Sequence, residues 1–119
     1  MPLVELFKEF RDKYMRSFIE KLDFPEFPPD QETRYKIIFS GIVQGVGFRY
    51  EAWLIAEKLK LTGFAENLSS GDVYMEIQGP KNKIQHLIKC LESIKRISIS
   101  HKTIDELPIK EETEFKPIY

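Results

Sequence analysis

Cysteine is almost absent from this chain. Cys90 is the only one in 119 residues, which excludes an internal disulfide and a zinc site built from several cysteines. No apolar run approaches the roughly 18 residues that a membrane-crossing helix needs. An excess of one charge is also missing. Eighteen Lys and Arg stand against nineteen Asp and Glu, a formal net charge of −1. A dedicated nucleic-acid binder normally carries a clear basic surplus, so no nucleic-acid partner is expected. The first residues hold Glu5, Lys8, Glu9, Arg11 and Asp12 and lack the apolar stretch of a signal peptide. A soluble, reducing, cytoplasmic setting is the expectation, with no membrane partner. Glycine is scarce as well, at six residues, yet three of them crowd into positions 41–47.

What is present suits one globular domain. Apolar residues make up 42% and charged residues 31%, enough of the first to form a core at this length. Residues 1–22 predict an amphipathic helix, with Leu3, Phe7, Phe10, Tyr14 and Phe18 at spacings of three and four. Its apolar stripe has two uses, packing on its own domain or pairing with a second copy as a homodimer. Mixed acids and bases on the polar side argue against a membrane-surface role. Pro25, Pro28 and Pro29 then forbid helix and central strand, so residues 23–30 read as a stiff connector. Phe24 and Phe27 suggest that it lies against something. Residues 1–33 are thus set apart from a domain spanning 34–119.

From Arg34 the pattern becomes β, α, β, β, α, β. Tyr35–Ser40 is a strand rich in branched and aromatic residues. Residues 41–47 form a loop, and Phe48–Leu59 a helix with Ala52, Ile55, Ala56 and Leu59 inward. Gly63–Leu68 and Val73–Gln78 are strands joined by a Ser69-Ser70-Gly71-Asp72 turn. Pro80 opens a second helix to about Ser93, striped by Ile84, Leu87, Leu91 and Ile94. Ile97–Ile104 is the last long strand, and Phe115–Tyr119 a candidate edge strand. Two β-α-β units joined by a hairpin give an α+β, ferredoxin-like βαββαβ sandwich. Both helices would cover one face of an antiparallel sheet, leaving the other open, with the N-terminal helix as an addition.

The segment Gly41-Ile42-Val43-Gln44-Gly45-Val46-Gly47-Phe48-Arg49 lies between a strand and a helix. Its glycines let the backbone turn and bring successive N–H groups onto one point. The helix that follows adds unpaired N–H groups and the positive end of its dipole. This is a cradle for a phosphate-sized anion, formed by Gln44, Gly45, Val46, Gly47, Phe48 and Arg49. Arg49 can add a forked pair of donors. The loop lacks the Lys and Ser/Thr of a nucleoside-triphosphate loop, so a small phosphate is expected. Asn67 follows 18 residues after Arg49, at a strand end that can return to the mouth of the loop. Its amide could hold a water without adding negative charge beside an anion. Taken alone, the loop is equally well read as a tight turn.

The string Gly41-x-Val43-Gln44-Gly45-Val46-x-Phe48-Arg49 resembles that of the acylphosphatases. Ala56, Leu61-x-Gly63, Asn67, Gly71-x-Val73 and Gly79-Pro80 extend the resemblance over 86 of 119 residues. It implies hydrolysis of a small acyl phosphate to a carboxylate and inorganic phosphate, with no metal and no cofactor. It also implies Arg49 as the catalytic phosphate binder and Asn67 as the catalytic residue that orients water. Three features depart from the pattern: Lys60 where a glycine usually ends the first helix, Glu66 before the asparagine, and the N-terminal extension.

Other polar residues have plainer readings. His86 and His101 are ordinary surface or strand residues rather than metal ligands. Cys90 is a packed thiol, and Trp53 and Tyr74 are packing residues. Glu51 and Asp72 read as solvated carboxylates, and Gln44 could brace the loop with its side chain. The competing function is a non-catalytic small-anion-binding or regulatory module of the same fold; such a module would need Arg49 but not Asn67. An RNA-binding sheet is excluded, because residues 72–77 hold one aromatic and two acids.

Overall fold

A computed structural model describes residues 24–119, and Lys13 before them. Apart from Lys13, the helix expected over residues 1–22 lies outside the described residues. The elements run β1 (Glu32–Ile42), α1 (Phe48–Leu59), β2 (Thr62–Asn67), β3 (Val73–Pro80), α2 (Lys81–Ser93), β4 (Ser98–Leu107) and β5 (Phe115–Ile118). The sheet order is β4-β1-β3-β2-β5. All neighbours are antiparallel except β2 and β5, which run parallel, so the sheet is mixed rather than purely antiparallel.

Strand alternation explains how the core forms. Ile37 and Phe39 on β1, and Val73, Met75 and Ile77 on β3, all point to the helix-covered face and are fully buried. Ala52, Ile55, Ala56 and Leu59 of α1 and Ile84, Leu87 and Leu91 of α2 meet them there, as the helical spacing requires. Ile94 is only partly buried, because it lies one residue past the end of α2.

Several strand limits shift from the expectation: β1 starts at Glu32, β2 one residue early at Thr62, β3 runs on to Pro80, which caps α2 rather than opening it, and β4 reaches Leu107. Two differences bear on the site and the sheet. β1 runs to Ile42, beyond Ser40, by shifting register at Ser40/Gly41 and pairing Ile42 with Ser98. Gly41 makes this possible, since a Cβ there would stand 2.2 Å from Ser98 O. The glycine-rich loop therefore starts at Val43. The second difference concerns the face away from the helices, which is partly covered by the 108–114 segment. Arg34 lies under it, 1% exposed, bonded to Glu112 at 2.8 Å and to Glu76 at 2.9 Å. Burial works to lower the Arg34 pKa, but hydrogen bonds to Glu112 and Glu76 outweigh it and hold the group above its ordinary value. Tyr74 donates to Glu76 at 2.8 Å. Burial, followed by that bond, pushes its phenol up to about 12.

The connector is anchored on α2. Phe24 and Phe27 meet the His86 ring edge-on, with centroids 5.0 and 5.3 Å away. The N–H of Asn82 donates to the Asp30 carboxylate at 2.9 Å, and that of Lys81 to Gln31 O at 2.9 Å. The first turn of α2 is thus capped by its own chain.

Lys60 ends α1 in the left-handed conformation, φ 60° and ψ 36°. Its N–H, and that of Leu61, reach back to the last turn of α1. A lysine there is strained by its Cβ, at a cost of about 1 kcal/mol. Lys60→Gly is expected to raise stability by about 0.5 kcal/mol, since the relief of strain is partly offset by the greater freedom of glycine in the unfolded chain. A urea titration checks this, and an unchanged or lower midpoint would contradict it.

Candidate active site

The turn that carries the site begins where Val43, buried in the core, anchors the exit from β1. Gly45 and Gly47 both take the left-handed conformation, with φ of 74° and 78°. Such φ values gather neighbouring N–H groups into a concave nest, and side chains other than glycine resist them. A Cβ at Gly45 would meet nothing within 4 Å, so the space beside this residue is open. Gly47 is the N-cap of α1 and provides no side-chain cap. The first turn of α1 therefore offers donors and the positive end of its dipole to a ligand.

Phe48 is 2% exposed and packs on Phe39, with ring centroids 4.9 Å apart. This fixes the start of the helix and turns Arg49, the next residue, outward. The Arg49 Nη1 donates to Ile118 O at 2.5 Å, and its guanidinium stands 4.1 Å from the centre of the Tyr119 ring. Ile118 pairs with Glu66, the residue before Asn67. The parallel pairing of β5 with β2 thus brings Arg49 to the sheet end at which Asn67 stands.

The side chain of Gln44 closes the other side. Its Nε2 donates to Leu68 O at 2.7 Å and to Asp72 O at 2.8 Å, which ties the loop to the β2–β3 turn immediately after Asn67. The Gln44 amide is a brace, and its contribution to an anion would come from its backbone N–H. Asn67 is exposed at the end of β2, opposite Val73. Alternation puts it on the same face as the buried Ala65, and puts Glu66 on the opposite face with Phe64 and Tyr74. The Glu66 charge is felt by Tyr74, which agrees with that placement. The carboxylate next to Asn67 in sequence is therefore turned away from the cradle. No hydrogen bond joins Asn67 to Arg49 among the described residues.

Replacing Gln44 with Leu keeps the bulk and removes both bonds, leaving two carbonyls without that donor. A loss of roughly 1–3 kcal/mol in stability and a severalfold rise in KM are expected. Denaturant unfolding and steady-state kinetics check this, and a variant unchanged in both would deny the brace.

Sequence reasoning missed two residues here. Glu51 is 3% exposed rather than solvated, and it accepts a hydrogen bond from Nη2 of Arg96. Arg96 also donates through Nε to Val46 O at 2.7 Å. A charged residue in the first turn of a helix looks the same in sequence whether buried or solvated, and its partner lies 45 positions on. A cavity of about 390 Å³ between Trp53, Lys60, Leu61 and Phe115 holds none of residues 44–49 or 67. Among the described residues, no three His, Cys, Asp or Glu side chains gather as metal ligands, and no helix is long and apolar enough to cross a membrane.

A strand–loop–helix turn beside the Arg49 guanidinium, on a sheet with both helices on one face, is an arrangement that could hold a small oxyanion. Comparison with known proteins gives the family. The acylphosphatase family model matches residues 35–117. An acylphosphatase of Ligilactobacillus salivarius is 36% identical over 87 residues, which span 71% of this chain and 97% of the relative. One from Vibrio parahaemolyticus is 43% identical over 76 residues, spanning 56% of this chain and 84% of the relative. The crystal structure of acylphosphatase from Bacillus subtilis superposes with a TM-score of 0.69 at 30% identity, covering 75% of this chain and all of that one. The chain belongs to the acylphosphatase family. It hydrolyses small acyl phosphates, releasing inorganic phosphate.

Proposed function

We propose that the backbone N–H groups of residues 44–49 and the Arg49 guanidinium hold the phosphoryl oxygens, while the Asn67 carboxamide orients the attacking water. The observation that carries this reading is the pairing of β5 with β2, which brings the Arg49 contact at Ile118 next to Asn67. The bond to Ile118 takes one of the five N–H donors of the guanidinium, leaving a fork for a phosphoryl group.

An acyl phosphate reacts through a loose transition state, so the protein's task is to position groups and stabilise charge. Water oxygen forms a bond to phosphorus as the bond from phosphorus to the acyl oxygen breaks. The carboxylate leaves with the electron pair, and the water's proton ends on phosphate or solvent. The leaving group is good enough that no strong base is required. Residues 43–49 hold no Ser, Cys or Thr to act as a covalent nucleophile.

The test is hydrolysis of benzoyl phosphate in ¹⁸O-water with a chelator present and inorganic phosphate added as competitor. Turnover should persist, phosphate should compete, and the label should appear in phosphate. Label in benzoate would place the attack at the carbonyl carbon and remove the role given to Asn67.

The boundary expected between residues 33 and 34 falls inside β1, so the acylphosphatase unit is taken to start with that strand at Glu32, its setting as cytoplasmic and the residues before it as an appended segment. Removing residues 1–22 spares the Phe24 and Asp30 contacts and tests whether those residues join two copies. A change from two copies per particle to one, each mass compared with that of its own chain, would support a homodimer, and the same number of copies before and after would oppose it.

A further inference from the structure

Arg96, between α2 and β4, has no part in the reading above, yet it touches both walls of the cradle. Its Nε donates to Val46 O at 2.7 Å, within the loop. Its Nη2 donates to the carboxylate of Glu51, in the first turn of α1 and two residues from Arg49. We infer that Arg96 and Glu51 are positioning residues for phosphate: one guanidinium sets the direction of the loop's N–H groups and neutralises a buried carboxylate beside the anion. This deepens the proposed function and rests on its claim that the loop holds the phosphoryl group.

Peptide geometry gives the first reason. In a trans peptide the C=O and the next N–H point in opposite directions. With Val46 O held on Arg96, the Gly47 N–H must point to the other side of the loop. Gly47 has φ 78° and no side chain to oppose a flip of this peptide, so the restraint has to come from outside. A flipped peptide would present a carbonyl oxygen where the anion needs a donor.

Charge gives the second. The Glu51 side chain is 3% exposed, and among the described residues its Oε2 has no hydrogen-bond partner. A buried carboxylate is costly unless paired. Left unpaired in the first turn of α1, it would set a negative charge against the N–H groups which that turn offers to phosphate. Arg96 is itself 47% exposed, so it brings a positive charge to Glu51 without being fully desolvated.

The test compares the wild type with Arg49→Ala, Arg96→Ala, Arg96→Lys and the double variant Arg96→Ala/Glu51→Gln. For each, the inhibition constant of inorganic phosphate, KM, kcat and the melting midpoint are measured, the kinetics well below the midpoint. Arg96→Ala should raise both the phosphate constant and KM at least tenfold, with a smaller change in kcat. Arg96→Lys should fall between, because an ammonium lacks the fork that spans both partners. Adding Glu51→Gln to Arg96→Ala should restore part of the phosphate affinity by removing the unpaired charge. A purely structural role would lower the midpoint and leave the phosphate constant as in the wild type, and that result overturns the inference. Should Arg96→Ala fail to fold, an Arg96→Lys constant within twofold of wild type overturns it equally. If Arg49→Ala also binds phosphate normally, the proposed phosphate site itself is wrong. If Arg49→Ala loses phosphate and the Arg96 variants keep it, only the positioning role falls.

Discussion

Arg49→Ala is expected to lower kcat/KM for benzoyl phosphate by roughly 10³-fold or more, with the fold intact. The magnitude follows from the charge that the side chain meets. Removing a single preorganised donor from a developing oxyanion costs about 10²–10³ in rate. An arginine brings two donors in a fixed fork together with a full positive charge, and in phosphoryl transfer such a group is worth roughly 10³–10⁵. The fold should survive, because the side chain is turned outward and its contacts are with Ile118 O and the Tyr119 ring at the sheet edge. Arg49→Lys should recover only part of the loss, since a lysine offers a point charge without the fork. Phosphate inhibition should weaken in parallel with the loss of rate. A variant that keeps turnover within tenfold of wild type would show that the backbone cradle suffices and that the guanidinium serves the β5 contact alone.

Asn67→Ala is expected to act differently. Its kcat should fall by roughly 10²-fold or more, while the inhibition constant of phosphate changes by less than threefold. The carboxamide is assigned to the water and not to the phosphoryl oxygens, so its loss leaves ground-state binding in place and removes the alignment of the nucleophile. The residue is exposed at a strand end, so its truncation should change stability little. Asn67→Asp should fare no better, since it puts a negative charge beside an anionic substrate. Steady-state kinetics with phosphate as competitor separate the two effects. Full activity in Asn67→Ala would remove the water-orienting role, and a loss of phosphate binding equal to the loss of kcat would move Asn67 into the phosphate cradle.

Much of this was legible from local pattern. The α1 range follows from glycines before Phe48 and a clean apolar period to Leu59, and the structure has the same limits. The alternation in Val73–Gln78 shows which residues of β3 enter the core. What escaped has no local period. β1 extends to Ile42 because its backbone finds a partner on β4, and backbone pairing leaves no mark in side-chain pattern. The charged stretch 108–114 gives no hint that it crosses the sheet and covers Arg34. At the site, Gly45, Gly47, Arg49 and Asn67 announce themselves by type and spacing. The pairing of Arg96 with Glu51 joins residues 45 positions apart, and no amphipathic stripe reports such a contact. Sequence spacing therefore singles out the groups proposed to meet the ligand more readily than those proposed to position them.

Crystals grown with inorganic phosphate or a vanadate mimic test the central claim most directly. The tetrahedral or trigonal oxyanion should sit on the N–H groups of residues 44–49, with the Arg49 fork on two of its oxygens and the Asn67 carboxamide on the side from which water attacks. An anion bound elsewhere, or an Asn67 amide turned to the opposite face of the sheet from the bound anion, would contradict it.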